Sequence, residues 1–292
     1  MGDSRVNGAA TVGGAGIDRM HHNRPSTMMV VPPREPQGSN RADPPPGVAV
    51  TKPEFPPEPP QPEFPQEARK EFSESLDELR IDVIRLGALT TEAIAAATQA
   101  LLDADLAEAE AVIERDEEID GLYHSIEDRC LLLLARQQPL ATDLRTIVTI
   151  MRINHELERS ADLMVNVAKT TRRLYPHPLD PKVRGIIDQM GDQASNQTRV
   201  AIDAFADGDP SQAAALHDMD DAMDELGKSL FRHILSWGAD SEATIQEAVQ
   251  VALVSRHYER VADHAVTIAE RVQFMVTGTW PTAPEDPLLI DR

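Results

Sequence analysis

Eight acidic side chains stand out by their spacing. They form four pairs at positions i and i+4: Asp116/Asp120, Glu158/Asp162, Asp220/Asp224 and Glu259/Asp263. On an α-helix four residues turn about 400° and climb about 6 Å, so each pair lies on one face, a turn apart. Like charges so placed repel by about 0.2–0.5 kcal/mol, and a chain that builds the repulsion four times calls for a counter-charge. Arginine is one candidate. Arg159 and Arg260 directly follow the two glutamates, but neighbours in sequence do not share a helix face, so each would have to serve acids on another helix. A metal ion bridging facing pairs is another candidate, since four carboxylates offer hard oxygen donors suited to Mg²⁺, Mn²⁺, Ca²⁺ or iron. An ordinary solvated acidic face is the third.

The elements that must carry these pairs are helices. Between Glu67 and Val276 only five prolines occur, at 139, 176, 178, 181 and 210, and the segments between them are rich in Ala, Leu, Glu, Gln and Ile. These breaks, with Asp103-Ala104-Asp105 and Gly238-Ala239-Asp240, predict six helices over 68–103, 106–136, 140–174, 181–206, 210–237 and 241–276. Several exceed 25 residues, which favours long rods in a bundle.

The chain also repeats itself. At an offset of 104, Gly87 meets Gly191, Asp105 meets Asp209, Asp116 meets Asp220 and Asp120 meets Asp224. At an offset of 101, Glu158-Arg159-Ser160-Ala161-Asp162 meets Glu259-Arg260-Val261-Ala262-Asp263. The slip falls between the second and third helices of each unit, where a loop absorbs it. The fold class expected is therefore all-α: two tandem three-helix bundles from an internal duplication, covering 67–175 and 179–277. The core stripes match between copies. Val251, Val254, Tyr258, Val261, Ala265, Ile268 and Val272 are answered by Ile150, Ile153, Leu157, Ser160, Met164 and Val167, with only Ser160 breaking the apolar run. Val112, Ile119, Ile126 and Leu133 recur every seven residues and are answered by Leu216, Met223, Leu230 and Trp237, as in coiled-coil seams. Measured from Leu157, Glu158 turns about 100° and Asp162 about 140° away from the seam, so a metal site would rim a groove.

Composition narrows the function classes. Residues 1–66 hold 14 of the 22 prolines and nearly balanced charge, and read as a disordered Pro/Gly-rich tail, a spacer or a docking segment. Residues 67–292 carry 22 Lys/Arg against 42 Asp/Glu, about −20 of the total of −21, a field that disfavours nucleic-acid backbones. One cysteine excludes a disulfide framework and a Cys-based zinc site. No apolar run approaches a membrane span and no signal peptide is recognisable, so a cytoplasmic protein is expected. None of the nine histidines has Glu three residues before it, which argues against an enclosed carboxylate-bridged oxidase. His155-Glu156-Leu157-Glu158-Arg159 looks like a phospho-accepting box, but no Gly-rich ATP-binding segment accompanies it and Arg256 stands at the equivalent of His155. His257, two residues before Glu259, is a further metal-ligand candidate, better read as solvent-facing.

Three stretches carry a resemblance to a known family. Glu259-Arg260-Val261-Ala262-Asp263-His264-Ala265, its relative Glu158-Arg159-Ser160-Ala161-Asp162-Leu163-Met164, and Arg136-Gln137-Gln138-Pro139-Leu140-Ala141-Thr142-Asp143-Leu144-Arg145 resemble the PhoU family of phosphate-signalling proteins over about residues 68–277. The resemblance implies two three-helix bundles that bind multinuclear metal clusters through Asp116, Asp120, Glu158, Asp162, Asp220, Asp224, Glu259 and Asp263, with iron, manganese, magnesium or zinc as the ions. It implies a non-enzymatic, cytoplasmic negative regulator of phosphate uptake and of the phosphate-starvation response. Such an adaptor joins the ATPase subunit of the phosphate ABC transporter to a sensor histidine kinase, forms a homodimer and meets the membrane only through its partners. A carboxylate-bridged metal oxidase and a metal-free helical scaffold are the alternatives. The second copy departs from the pattern, with Thr244 and Gln246 where the first has Asp143 and Arg145, so the two faces are expected to differ in partner binding. Residues 278–292 complete the chain as a C-terminal tail.

Overall fold

The computed structural model describes residues 66–280 apart from Gln137, Gln138, Leu140 and residues 238–240. Six helices run through it: α1 (Gln66–Asp103), α2 (Leu106–Arg136), α3 (Ala141–Leu174), α4 (Pro181–Asp207), α5 (Pro210–Leu235) and α6 (Glu242–Thr277). Each boundary falls within two residues of the expected one. No strand occurs among the described residues. The segment read as a disordered tail lies outside the described residues except for Gln66, which already belongs to α1, and of the C-terminal tail only Gly278 to Trp280 are described. No described helix is long and apolar enough to cross a membrane.

Within each repeat the three helices pack on one another. The repeats join through two contacts, α1 on α4 and α3 on α6. These four helices form an inner layer, and α2 and α5 lie outside it, each touching only the two inner helices of its own repeat. Both junctions are antiparallel. One apolar cluster joins Ile94 and Leu101, late in α1, to Ile187 and Met190, early in α4; the other joins Leu79 and Leu86 to Phe205 at the opposite end. Burial follows the sequence stripes closely. All the residues named for the α3 and α6 stripes are buried, Ser160 among them, and in the α2 and α5 seams only Leu133 and Trp237, near the helix ends, are partly exposed.

The α1–α4 crossing is tight because of two glycines. A methyl group at Gly87 would stand 2.6 Å from Ile202, and one at Gly191 would stand 2.5 Å from Thr98. Those partners are themselves equivalent at the offset of 104, so the crossing is built around a pseudo-twofold axis. Thr98 also anchors the buried Tyr258 hydroxyl at 2.7 Å. At the α3–α6 crossing the interruption at Ser160 finds its reason. Its hydroxyl donates to the Glu156 carbonyl and pairs at 2.9 Å with Nδ1 of His264, which is also buried. Burial, with Arg159 and Arg260 nearby, holds the His264 pKa down at about 4, so the ring is neutral at pH 7 and Nδ1 can donate to Ser160.

The turn that leads into each outer helix is also duplicated. Asp209 caps α5 by accepting from the Ser211 N–H, and Asp105 receives the N–H groups of Ala107 and Glu108 in the same way. The residue before each cap is left-handed, Gly208 at φ 63° and Ala104 at φ 53°. Alanine bears a steric cost there that glycine avoids. Ala104→Gly is expected to stabilise the fold by about 1 kcal/mol and Gly208→Ala to destabilise it similarly, both measurable by urea denaturation.

Candidate functional site

Each outer helix meets an inner one along a seam open to solvent, and the acid pairs line these seams. α2 and α3 run antiparallel. The side-chain amide of Asn154 donates to the Tyr123 carbonyl at 2.9 Å, which sets Asp120 opposite Glu158 and Asp116 opposite Asp162 one and two turns along. The electrostatics show the pairs facing each other. Burial first, then the charges of Asp120 and Asp162, push the Asp116 pKa up to about 6, with Lys169 opposing. Glu158 is raised in the same way, by burial and then by Asp162, Asp120 and Asp116, with His155 opposing. All four acids of the first repeat therefore share one groove.

In the second repeat the same register holds, but the quartet is incomplete. The Asp220 carboxyl is raised by burial and then by Asp263 and Asp224, so these three face one another. Glu259 turns aside. Its carboxylate accepts from Ser255 Oγ at 3.3 Å and from the Arg256 guanidinium at 3.0 Å, and it lies directly over Gly227, where any Cβ would collide with it. Gly227 stands at the position of Tyr123, Ser255 at that of Asn154, and Arg256 at that of His155. The two offsets that disclose the duplication place these residues side by side, so the difference was readable in the sequence, although its consequence for Glu259 was not.

Arg159 and Arg260, the arginines the sequence offered as counter-charges, do not serve the acid pairs. Neither Arg159 nor Arg260 forms an ion pair among the described residues; both lie near His264 at the α3–α6 crossing. His257 is not solvent-facing as the sequence suggested. It is half-buried with its Nδ1 unpartnered, and burial together with Arg260 and Arg173 lowers its pKa. Those cationic neighbours make it a poor metal ligand. Cys130 is buried in the core with its thiol pushed up to about 12, an inert group.

The donor chemistry of the grooves suits hard cations: every candidate ligand is a carboxylate, and Lys169 beside Asp116 and His155 beside Glu158 partly offset the repulsion in the first quartet. Among the described residues no three acidic, histidine or cysteine side chains close around a single point. The repulsion has a consequence for pH dependence. Asp116 binds its proton more tightly folded than unfolded, so the protein loses stability as pH rises from about 4 to about 6. Asp116→Asn is expected to raise the melting temperature at pH 7 in chelator-treated buffer and to lose that advantage at pH 4, as followed by circular dichroism.

Comparison with known proteins assigns the fold to a family. The PhoU domain matches residues 83–171 and 187–272, one match in each repeat. The phosphate-specific transport system accessory protein PhoU homolog 1 of Mycobacterium tuberculosis is 40% identical over 220 residues, spanning 74% of this chain and 98% of the relative. PhoU homolog 2 of the same organism is 39% identical over 214 residues, 73% of this chain and 100% of the relative. The crystal structure of PhoU from Pseudomonas aeruginosa superimposes with a TM-score of 0.68 at 31% identity, covering 71% of this chain and 100% of that one. The regulatory protein PhoU of the phosphate transport system of Streptococcus pneumoniae gives 0.66 at 30% identity, over 73% and 100%. With both repeats matched and whole relatives covered at this identity, the chain belongs to the PhoU family.

Proposed function

We propose that this protein is a negative regulator of phosphate uptake and of phosphate-starvation signalling that acts in the cytoplasm without catalysing a reaction. Relatives bearing the names of accessory and regulatory proteins of phosphate transport support the role. The observation that carries the mechanism is the duplicated acidic groove, and above all the first quartet, where four carboxylates face one another and burial with mutual repulsion raises Asp116 and Glu158. Metal ions, iron, manganese, magnesium or zinc, are proposed to be held there by Asp116, Asp120, Glu158 and Asp162, and in the second groove by Asp220, Asp224, Glu259 and Asp263. A bound cation would neutralise the repulsion and tie each outer helix to its inner neighbour. Sites on open seams suit a regulator whose surface is read by other proteins better than an oxidase, which encloses its metal in the bundle core.

The proposed partners are the ATPase subunit of the phosphate ABC transporter and the sensor histidine kinase, with the protein acting as a homodimer that meets the membrane only through them. Exposed apolar side chains favour docking. Leu131, Leu144 and Val148 are solvent-facing at the α2–α3 end, and the equivalent Leu235, Ile245 and Val249 at the α5–α6 end.

Elemental analysis of the purified protein is expected to find bound metal, with a reduced content in Glu158→Ala/Asp162→Ala. Affinity capture of the transporter ATPase and the kinase should succeed with metal and fail after chelation. Capture indifferent to metal, with no metal in the protein, would favour a plain helical scaffold. Deletion of the gene is expected to derepress phosphate-starvation genes in high phosphate, and an unchanged expression profile would refute the regulatory role.

A further inference from the structure

The two grooves share a register yet differ at their open ends. In the first, Asn154 donates to the Tyr123 carbonyl and leaves Glu158 alone, and the Nδ1 of His155 stays 4.0 Å from the Glu158 carboxylate. In the second, Ser255 and Arg256 both donate to Glu259, and Gly227 vacates the space into which its carboxylate folds. We propose that Ser255 and Arg256 form a latch that holds Glu259 out of the second acid quartet, so that the second groove takes up cations only at higher concentration than the first. This inference rests on the reading of the grooves as metal sites and adds an order of filling to it.

The physical basis is a competition for one carboxylate. To ligate beside Asp220, Asp224 and Asp263, Glu259 must give up a charge-assisted bond to Arg256 and a second bond to Ser255, and only part of that loss is returned by solvation of the freed guanidinium. Glu158 gives up no such bonds and already lies under the charges of Asp162, Asp120 and Asp116. Two hydrogen bonds to one charged group, one of them from a largely exposed and so partly screened guanidinium, make the second groove weaker by up to about tenfold. Ser255 is buried, but the Arg256 side chain is 60% exposed, and Glu259 lines an open cavity with Asp224, Gly227 and Lys228, so the Arg256 half of the latch can be reached by partner side chains. A partner carboxylate offered to Arg256 would therefore release Glu259 and tighten the second site, coupling partner binding to metal uptake.

The test is calorimetric titration of the full-length, chelator-stripped protein with Mn²⁺. Two classes of site are expected, separated by up to about tenfold. Asp116→Asn/Asp120→Asn should abolish the tighter class and leave the weaker. Ser255→Ala/Arg256→Gln should leave the tighter class unchanged and strengthen the weaker one toward it, with an unaltered circular dichroism melt confirming the fold. Ser255→Asn/Arg256→His, which copies the first repeat, is expected to act likewise. Two classes that ignore both latch variants, or a single class of equal sites, would overturn the latch while leaving the grooves as metal sites. Absence of Mn²⁺ binding in either groove would overturn the metal reading itself.

Discussion

The surface of this protein is arranged by how closely α1 approaches α4. Gly87 and Gly191 leave room for the side chains of Ile202 and Thr98 on the facing helix, so the two helices pack closely, and the antiparallel α3–α6 junction joins the repeats beside them. Once these four helices form the inner layer, α2 and α5 have only two neighbours each. A helix held on two sides keeps a seam exposed along its length, and it is on such seams that the acid pairs gather. Apolar burial at the repeat junction thus determines where charge can be concentrated without being entombed, which would cost far more than the fold could offset.

Much of this was legible from residue spacing. The duplication, the six helices and the core stripes all follow from period and offset, because long amphipathic helices state their buried face directly in sequence. The pairing of Asp116/Asp120 with Glu158/Asp162 across α2 and α3 follows from the same logic. Two things escaped. Ser160 breaks a stripe in the sequence, but a polar atom in a seam is tolerated when a partner comes from a packed helix distant in sequence, and His264 lies more than a hundred residues away in the chain. The displacement of Glu259 depends on a side-chain rotamer chosen by Ser255, Arg256 and the missing Cβ of Gly227, and rotamers are not encoded by periodicity.

The charge of the molecule takes on structure in this light. Only eight of the 42 acidic residues after position 66 belong to the grooves, so most of the negative field is ordinary solvated surface. α3 departs from it. Between Ala141 and Leu174 it carries six Arg/Lys against four Asp/Glu. Several of these cations, Arg152, Arg159 and Lys169 among them, are exposed. Exposed cations on the helix that also carries Glu158 and Asp162 give this surface both signs of charge, which disfavours any partner of uniform charge.

The apolar ends of the molecule bring a matter of stoichiometry. Leu131, Leu144 and Val148 repeat as Leu235, Ile245 and Val249, and the antiparallel junction directs the two sets to opposite extremities. Were both extremities to dock partners as proposed, the molecule would be bivalent. Bivalent linkers bridge their targets best at intermediate abundance, because in excess each target is capped by its own linker and none are joined. The amount of this protein in the cell, and not its affinity alone, would then govern whether it connects two other molecules or keeps them apart.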